Sequence, residues 1–197
     1  MGDLRVDAEL DACAAPEPIS VIAPIAGGIV NTTEKRALLA VRGEASIGGH
    51  TSSLEGGFGG YDYTHGLLAR HTAWRWAFAQ GRTTTGEPVA LNLVEGFVGE
   101  PECALWLGGE LHPLAEGRLS FDADRPEAPW QVRTADGSVD LRFQPGGAHR
   151  EHKNFGVIAS RFLQPMGVFS GTVRLPGRAP VELLDVLGVT EDQDILW

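Results

Sequence analysis

Residues 129–144 alternate between apolar and polar positions. Trp130, Val132 and Thr134 interleave with Gln131, Arg133 and Ala135; after Asp136-Gly137, Val139, Leu141 and Phe143 interleave with Ser138, Asp140 and Arg142. A period of two is that of a strand with one buried face. Asp-Gly between two such runs predicts a hairpin with a type I′ turn, whose central residues need positive φ. Closing it sets Trp130 opposite Phe143 and Val132 opposite Leu141 on one face, and Arg133 opposite Asp140 on the other. One register thus yields both an apolar face and a charge-paired face.

The same period recurs along the chain. Thr72, Trp74, Trp76 and Phe78 share one face of a run whose other face carries His71, Ala73, Arg75 and Ala77. Short runs at 87–96, 102–109, 118–123 and 179–189 read as strands between turns. In 167–177, Phe169, Val173 and Leu175 fall together. Residues 37–49 read as two strands around Gly43-Glu44. The helical signal is thin: Asn31-Thr32-Thr33-Glu34 resembles a capping box, but at most two turns fit before Val41 and Gly43. These elements predict an all-β fold with little helix, an antiparallel up-and-down barrel of about eight to ten strands. Closure removes exposed edges, and a barrel of that size encloses room for one small ligand.

The 197 residues suit a single domain over 17–197, preceded by a polar, flexible tail at 1–16. The 26 glycines and 12 prolines fit a chain of many turns. Net charge is -10, and Lys35 and Lys153 are the only lysines among 16 basic residues, which argues against nucleic acid or an anionic membrane as partner. No apolar run is long enough to span a membrane. The acidic start lacks the features of an export signal, so the expected compartment is cytoplasmic, with Cys13 and Cys103 as free thiols rather than one bridge. Dinucleotide, P-loop and Gly-x-Ser-x-Gly motifs are missing, which removes the main supports for nucleotide-dependent and serine-hydrolase chemistry.

Candidate chemistry gathers at Gly59–Gly66. Asp62 and His65 lie three apart in a Gly-rich segment flanked by Tyr61 and Tyr63, shortly before Thr72, Trp74 and Trp76. A carboxyl held against indole rings is desolvated and becomes an acid usable near neutral pH. A histidine can relay its proton, and aromatic faces can stabilise a developing cation. The plainer reading is that Asp and His bond local backbone and the tryptophans are core. Asn92 is an amide in an apolar run, placed either to orient a ligand or to satisfy a backbone group. His149-Arg150-Glu151-His152 lacks zincin spacing and reads as a solvated loop, so no metal is expected. His112, before Pro113, reads as a turn residue. Glu191, Asp192 and Asp194 read as a solvated edge.

Several segments resemble the lipocalin-like family catalogued as domain of unknown function 2804. They are Gly60-Tyr61-Asp62-Tyr63-Thr64-His65-Gly66, Arg70 to Trp76, Leu91-Asn92-Leu93, Phe169-Ser170-Gly171-Thr172-Val173, and Gly188-Val189-Thr190-Glu191-Asp192 closing on Trp197. The series runs in the family's order from about residue 18. The family is similar, more distantly, to the carotenoid hydratase, tocopherol cyclase and lipocalin-like pericyclase group. That resemblance implies an apolar substrate in a β-barrel, no redox cofactor, and a few polar side chains as the catalytic equipment. It also implies an additional N-terminal half, which a second copy or a partner chain would replace here.

The expected function is therefore a cofactor-independent isomerase, cyclase or hydratase acting on an apolar small molecule in a barrel pocket. Asp62 would be acid/base and His65 its partner. Tyr61, Tyr63, Thr72, Trp74, Trp76, Asn92, Trp106 and Trp130 would bind the substrate. The alternative is a non-catalytic carrier of a hydrophobic ligand.

Overall fold

The computed structural model describes residues 3–197. Its strands are β1 (Leu4–Asp11), β2 (Ile19–Pro24), β3 (Val30–Ile47), β4 (His50–Ser53), β5 (Phe58–Leu67), β6 (His71–Arg82), β7 (Pro88–Gly96), β8 (Ala104–Leu107), β9 (Glu110–Pro113), β10 (Gly117–Ser120), β11 (Trp130–Thr134), β12 (Val139–Asn154), β13 (Ala159–Val173) and β14 (Val181–Leu196). One 3-10 turn, Glu100–Glu102, interrupts them. No helix among the described residues is long and apolar enough to cross a membrane. The all-β, antiparallel expectation is borne out, but the strands divide between two sheets.

The larger sheet has nine strands in the order β10-β11-β12-β13-β14-β6-β7-β8-β9. Its edge strands, β9 and β10, are separated in the chain only by Leu114–Glu116. The sheet therefore curls until its edges approach each other. No ladder joins them. Instead, Glu95 on β7 accepts the Leu119 backbone N–H at 2.9 Å, and Arg75 on β6 donates to the Leu119 carbonyl at 3.0 Å. These side chains tie edge strand β10 across the seam.

The predicted hairpin register is observed: Trp130 pairs with Phe143, Val132 with Leu141 and Arg133 with Asp140. Its turn differs from the expected I′ form. Positive φ occurs at Gly137 but not at Asp136, whose carboxylate instead accepts from the Ser138 N–H and the Thr134 hydroxyl. An Asx-type bond has replaced the second left-handed residue.

The concave face is filled. Trp130, Phe143, Phe169, Leu141, Leu91 and Leu105 are each under 2% exposed and belong to one apolar cluster. Rings of Phe143 and Phe169 meet at 4.6 Å, and Trp130 stands edge-on to Phe143 at 6.4 Å. Opposite them β6 turns in only Ala77 and Ala79, because the rings leave no room for more. The expected ligand cavity inside the barrel is thus occupied by side chains. The tryptophans of β6, expected inward, face outward.

The smaller sheet covers that outward face. β3 is its axis; β1 and β2 follow one another along one edge, β4 and β5 along the other. The expected helix over Asn31–Leu39 and the paired strands over 37–49 are both this single 18-residue strand. Its polar alternation, Asn31, Thr33 and Lys35 on one side and Thr32, Glu34 and Arg36 on the other, suits a strand and overrides the capping signal. Within residues 1–16, Leu4–Asp11 form β1, which is solvent-exposed along nearly all its length. His112 lies in β9 rather than a turn, and His149–His152 extend β12 as exposed strand rather than loop.

Gln80 joins the two sheets. Its carbonyl accepts the Leu38 N–H at 3.1 Å and its amide donates to the Phe58 carbonyl at 3.2 Å. Leu38 sits at φ 59° in a β3 bulge, which aims its N–H out of the ladder. Replacing Phe169 by Ala should cost about 3–5 kcal/mol, because the rigid ring cluster cannot close the void. Urea unfolding at equilibrium measures the loss.

Candidate functional site between the sheets

Cross-strand pairing decides what the outward face presents. Trp76 pairs with Val94 on β7 and Glu191 on β14, and Phe78 pairs with Asn92. Paired residues share a face. Opposite them β3 presents Asn31, Thr33 and Lys35, and Lys35 pairs with Asp62 on β5. Alternation then places Asp62 and Thr64 toward the larger sheet, and Tyr61, Tyr63 and His65 away from it.

Between the sheets lies a cavity of about 300 Å³. Trp74, Trp76, Trp197, Phe97, Leu68 and Val94 form its apolar wall. Lys35, Asp62, Glu102, Glu191, Thr64 and the edge of His65 are its polar groups. A neighbouring cavity of about 170 Å³ shares Lys35, Asp62 and Trp76 and adds Gly60, Tyr61, Phe78 and Asn92.

Lys35 is the centre of the polar arrangement. Its ammonium lies 2.7 Å from Asp62 Oδ2, 3.6 Å from Glu102 Oε2 and 5.4 Å from the Trp76 ring centroid. Its side chain is 7% exposed, whereas that of Asp62 is 40% exposed. Two carboxyl groups thus share one ammonium, and a third, Glu191, lines the same cavity. Burial pushes Glu102 above the usual carboxylate range; Lys35 opposes that and Asp62 reinforces it. Burial likewise pushes Glu191 up, against the hydrogen bonds of Trp74 and Gln164, with Asp62 again reinforcing.

The carboxyls are held firmly. Trp74 Nε1 donates to Glu191 Oε1 at 2.7 Å, and Gln164 Nε2 to Oε2 at 3.0 Å. Asn31 Nδ2 donates to Glu102 Oε1 at 3.4 Å, while Asn31 Oδ1, fully buried, has no partner. Turning that amide over would give a neutral Glu102 an acceptor for its proton.

The expected residues disperse. Asp62, Trp74 and Trp76 line the larger cavity together. Asp62 is paired with Lys35 and shares no hydrogen bond with His65, whose ring lies 5.3 Å from that of Tyr63, tilted by 47°, on the outer side. Tyr61 and Tyr63 are each about half exposed, and Tyr61 alone reaches the smaller cavity. Asn92 takes the plainer of its two expected roles: it accepts from Trp76 Nε1 and donates to the Glu102 carbonyl, both at 2.7 Å. Thr72 is buried, donating to the Ala69 carbonyl and accepting from Trp197 Nε1. Trp106 is fully buried, bonded to the Glu17 carbonyl and outside both cavities. Trp130 belongs to the barrel interior, on the opposite face of the sheet.

Sequence reasoning missed Lys35, Glu102 and Glu191. Lys35 had a signal, since a rare lysine continues the alternation of Asn31 and Thr33 into buried Ala37. Glu191 had none: the expected solvated edge is buried because β14 pairs with β6, more than a hundred residues away.

Comparison with known proteins places the chain in a family. It belongs to the family of domain of unknown function DUF2804, whose model matches residues 1–197. A search of curated proteins returns no match. Among solved structures, this DUF2804 chain is similar to kievitone hydratase from Nectria haematococca, at 12% identity and a TM-score of 0.46, over 100% of this chain and 61% of that one. It is also similar to a protein with an AttH designation from Nitrosomonas europaea, at 12% identity and a TM-score of 0.41, over 96% of this chain and 59% of that one. The DUF2804 chain therefore spans about three fifths of the length of these two structures.

Raised carboxyl values have a defined sign. Glu191 binds its proton more tightly folded than unfolded, so its contribution falls as pH rises from the ordinary value of 4.5 through the folded value. Glu191→Gln should therefore gain stability relative to wild type as pH rises across that window, with no such gain below it. Urea titrations at a series of pH values measure this difference.

Proposed function

We propose that this DUF2804 chain is a cofactor-independent enzyme that moves protons on an apolar small molecule, as isomerases, cyclases and hydratases do. The observation that carries this reading is the Glu191 carboxyl, buried against Trp74 in a tryptophan-walled cavity that Asp62 also lines. A carboxyl favouring its neutral form can donate a proton to an electron-rich carbon. The conjugate carboxylate then keeps two donors, Trp74 Nε1 and Gln164 Nε2. Indole faces favour positive charge on the bound molecule. Asp62, 2.7 Å from the Lys35 ammonium, faces the same space as the base that removes a proton or activates water.

The site expected inside the barrel thus moves to the space between the sheets. Of the acid/base role expected of Asp62 only the base part stays with it in this reading; Glu191 takes the acid part, and His65 stands at the rim. Both carboxyls and the lysine would be superfluous in a carrier, which needs only the apolar wall.

The test is deuterium incorporation from heavy water into a panel of apolar alkenes, read by mass spectrometry. Wild type should label at least one compound, and Glu191→Gln should lower that rate by about 10²–10⁴-fold while tryptophan fluorescence still reports binding. Undiminished labelling by Glu191→Gln removes Glu191 as the acid, and binding without labelling of any compound supports the carrier.

A further inference from the structure

A third space adjoins the two cavities. Beyond Phe78, which borders the smaller cavity, a groove of about 1210 Å³ opens along the outward faces of β6, β14, β13 and β12. The smaller sheet does not extend over it, so Met166 and Leu187 are 64% and 70% exposed there. Val189 pairs with both Phe78 and Met166, which places the three side by side on the groove floor.

The three spaces lie in sequence along one strand. Trp74 borders the first, Trp76 the first and second, Phe78 the second and third, and Gln80 the third. From Trp74 to Gln80 a strand advances about 20 Å. β5 approaches β6 closely at the second boundary: a Cβ on Gly60 would stand 2.9 Å from the Phe78 ring. Glycine there lets that ring lie against β5 as the partition between the second and third spaces, and a ligand reaching both must turn the ring aside.

The first boundary is polar. Lys35 has three N–H bonds; among the described residues Asp62 takes one at 2.7 Å and Glu102 stands at 3.6 Å, which leaves a donor to spare. An ammonium with an unused donor at the junction of two apolar spaces can hold an oxygen atom of a ligand that extends into both.

We infer that the site accepts a linear, extended apolar molecule rather than a compact one, with an oxygen function at Lys35 and a tail lying in the Met166–Leu187 groove. This rests on the inter-sheet cavity being the functional site, and it adds the substrate's shape and reach. The shared walls, Trp76 and then Phe78, assign the otherwise uncovered groove to the tail of the same molecule.

The test uses the full chain and three linear alcohols, hexanol, decanol and hexadecanol, with binding read from tryptophan fluorescence. Affinity should rise across the whole series, by roughly threefold or fourfold for each added methylene that is buried. Val189→Asp places a charge on the groove floor, and Leu187→Asp does so at a position too exposed to affect folding. Both should weaken hexadecanol binding at least tenfold and leave hexanol binding unchanged. A plateau at decanol, or hexadecanol binding indifferent to both variants, overturns the extended slot while leaving the inter-sheet site in place. Failure of all three alcohols to bind overturns the slot and the apolar site together.

Discussion

The Phe143–Phe169–Trp130 ring cluster is the constraint from which the rest of this architecture follows. Those rings occupy the concavity of the nine-stranded sheet, so β6 can contribute only Ala77 and Ala79 there. Its larger residues, Trp74, Trp76 and Phe78, must point the other way. A row of aromatic rings facing water would be a liability, and the five-stranded sheet covers most of it. The candidate site is the imperfectly filled space that this covering leaves.

Charge follows from the same geometry. Lys35 and Asp62 arrive from the covering sheet, Glu102 from the turn after β7, and Glu191 from β14. Bringing them together in a place with little water leaves three carboxyls around one ammonium. An excess of acid over base in a dry space is costly, and protonation is the way out. Burial thus favours the proton-bound forms of Glu102 and Glu191 beside apolar walls.

Much of the fold was legible in the chain. The hairpin register at Trp130–Phe143 came from alternation alone, because a local turn fixes it. The aromatic face of β6 was equally plain, but its direction was not: which side of a strand is interior depends on residues elsewhere, here Phe143 and Phe169. The long strand β3 was obscured by Asn31-Thr32-Thr33-Glu34, whose local preference for capping a helix loses to two ladders of pairing. Of the site, Asp62, Trp74 and Trp76 could be found because they lie close together near one turn. Glu191 could not, since what buries it is a strand pairing between distant segments, and sequence spacing carries no record of that.

The seam where β10 meets β7 and β6 gives the barrel an uneven stiffness. Everywhere else the wall is stitched by backbone ladders; at this one line, Arg75 and Glu95 hold β10 by their side chains. Few bonds need break for the wall to part there, so breathing motions of the molecule concentrate along it. Arg75 also bonds Asp192, the neighbour of Glu191, so β6 links the seam directly to the strand that bears the candidate acid.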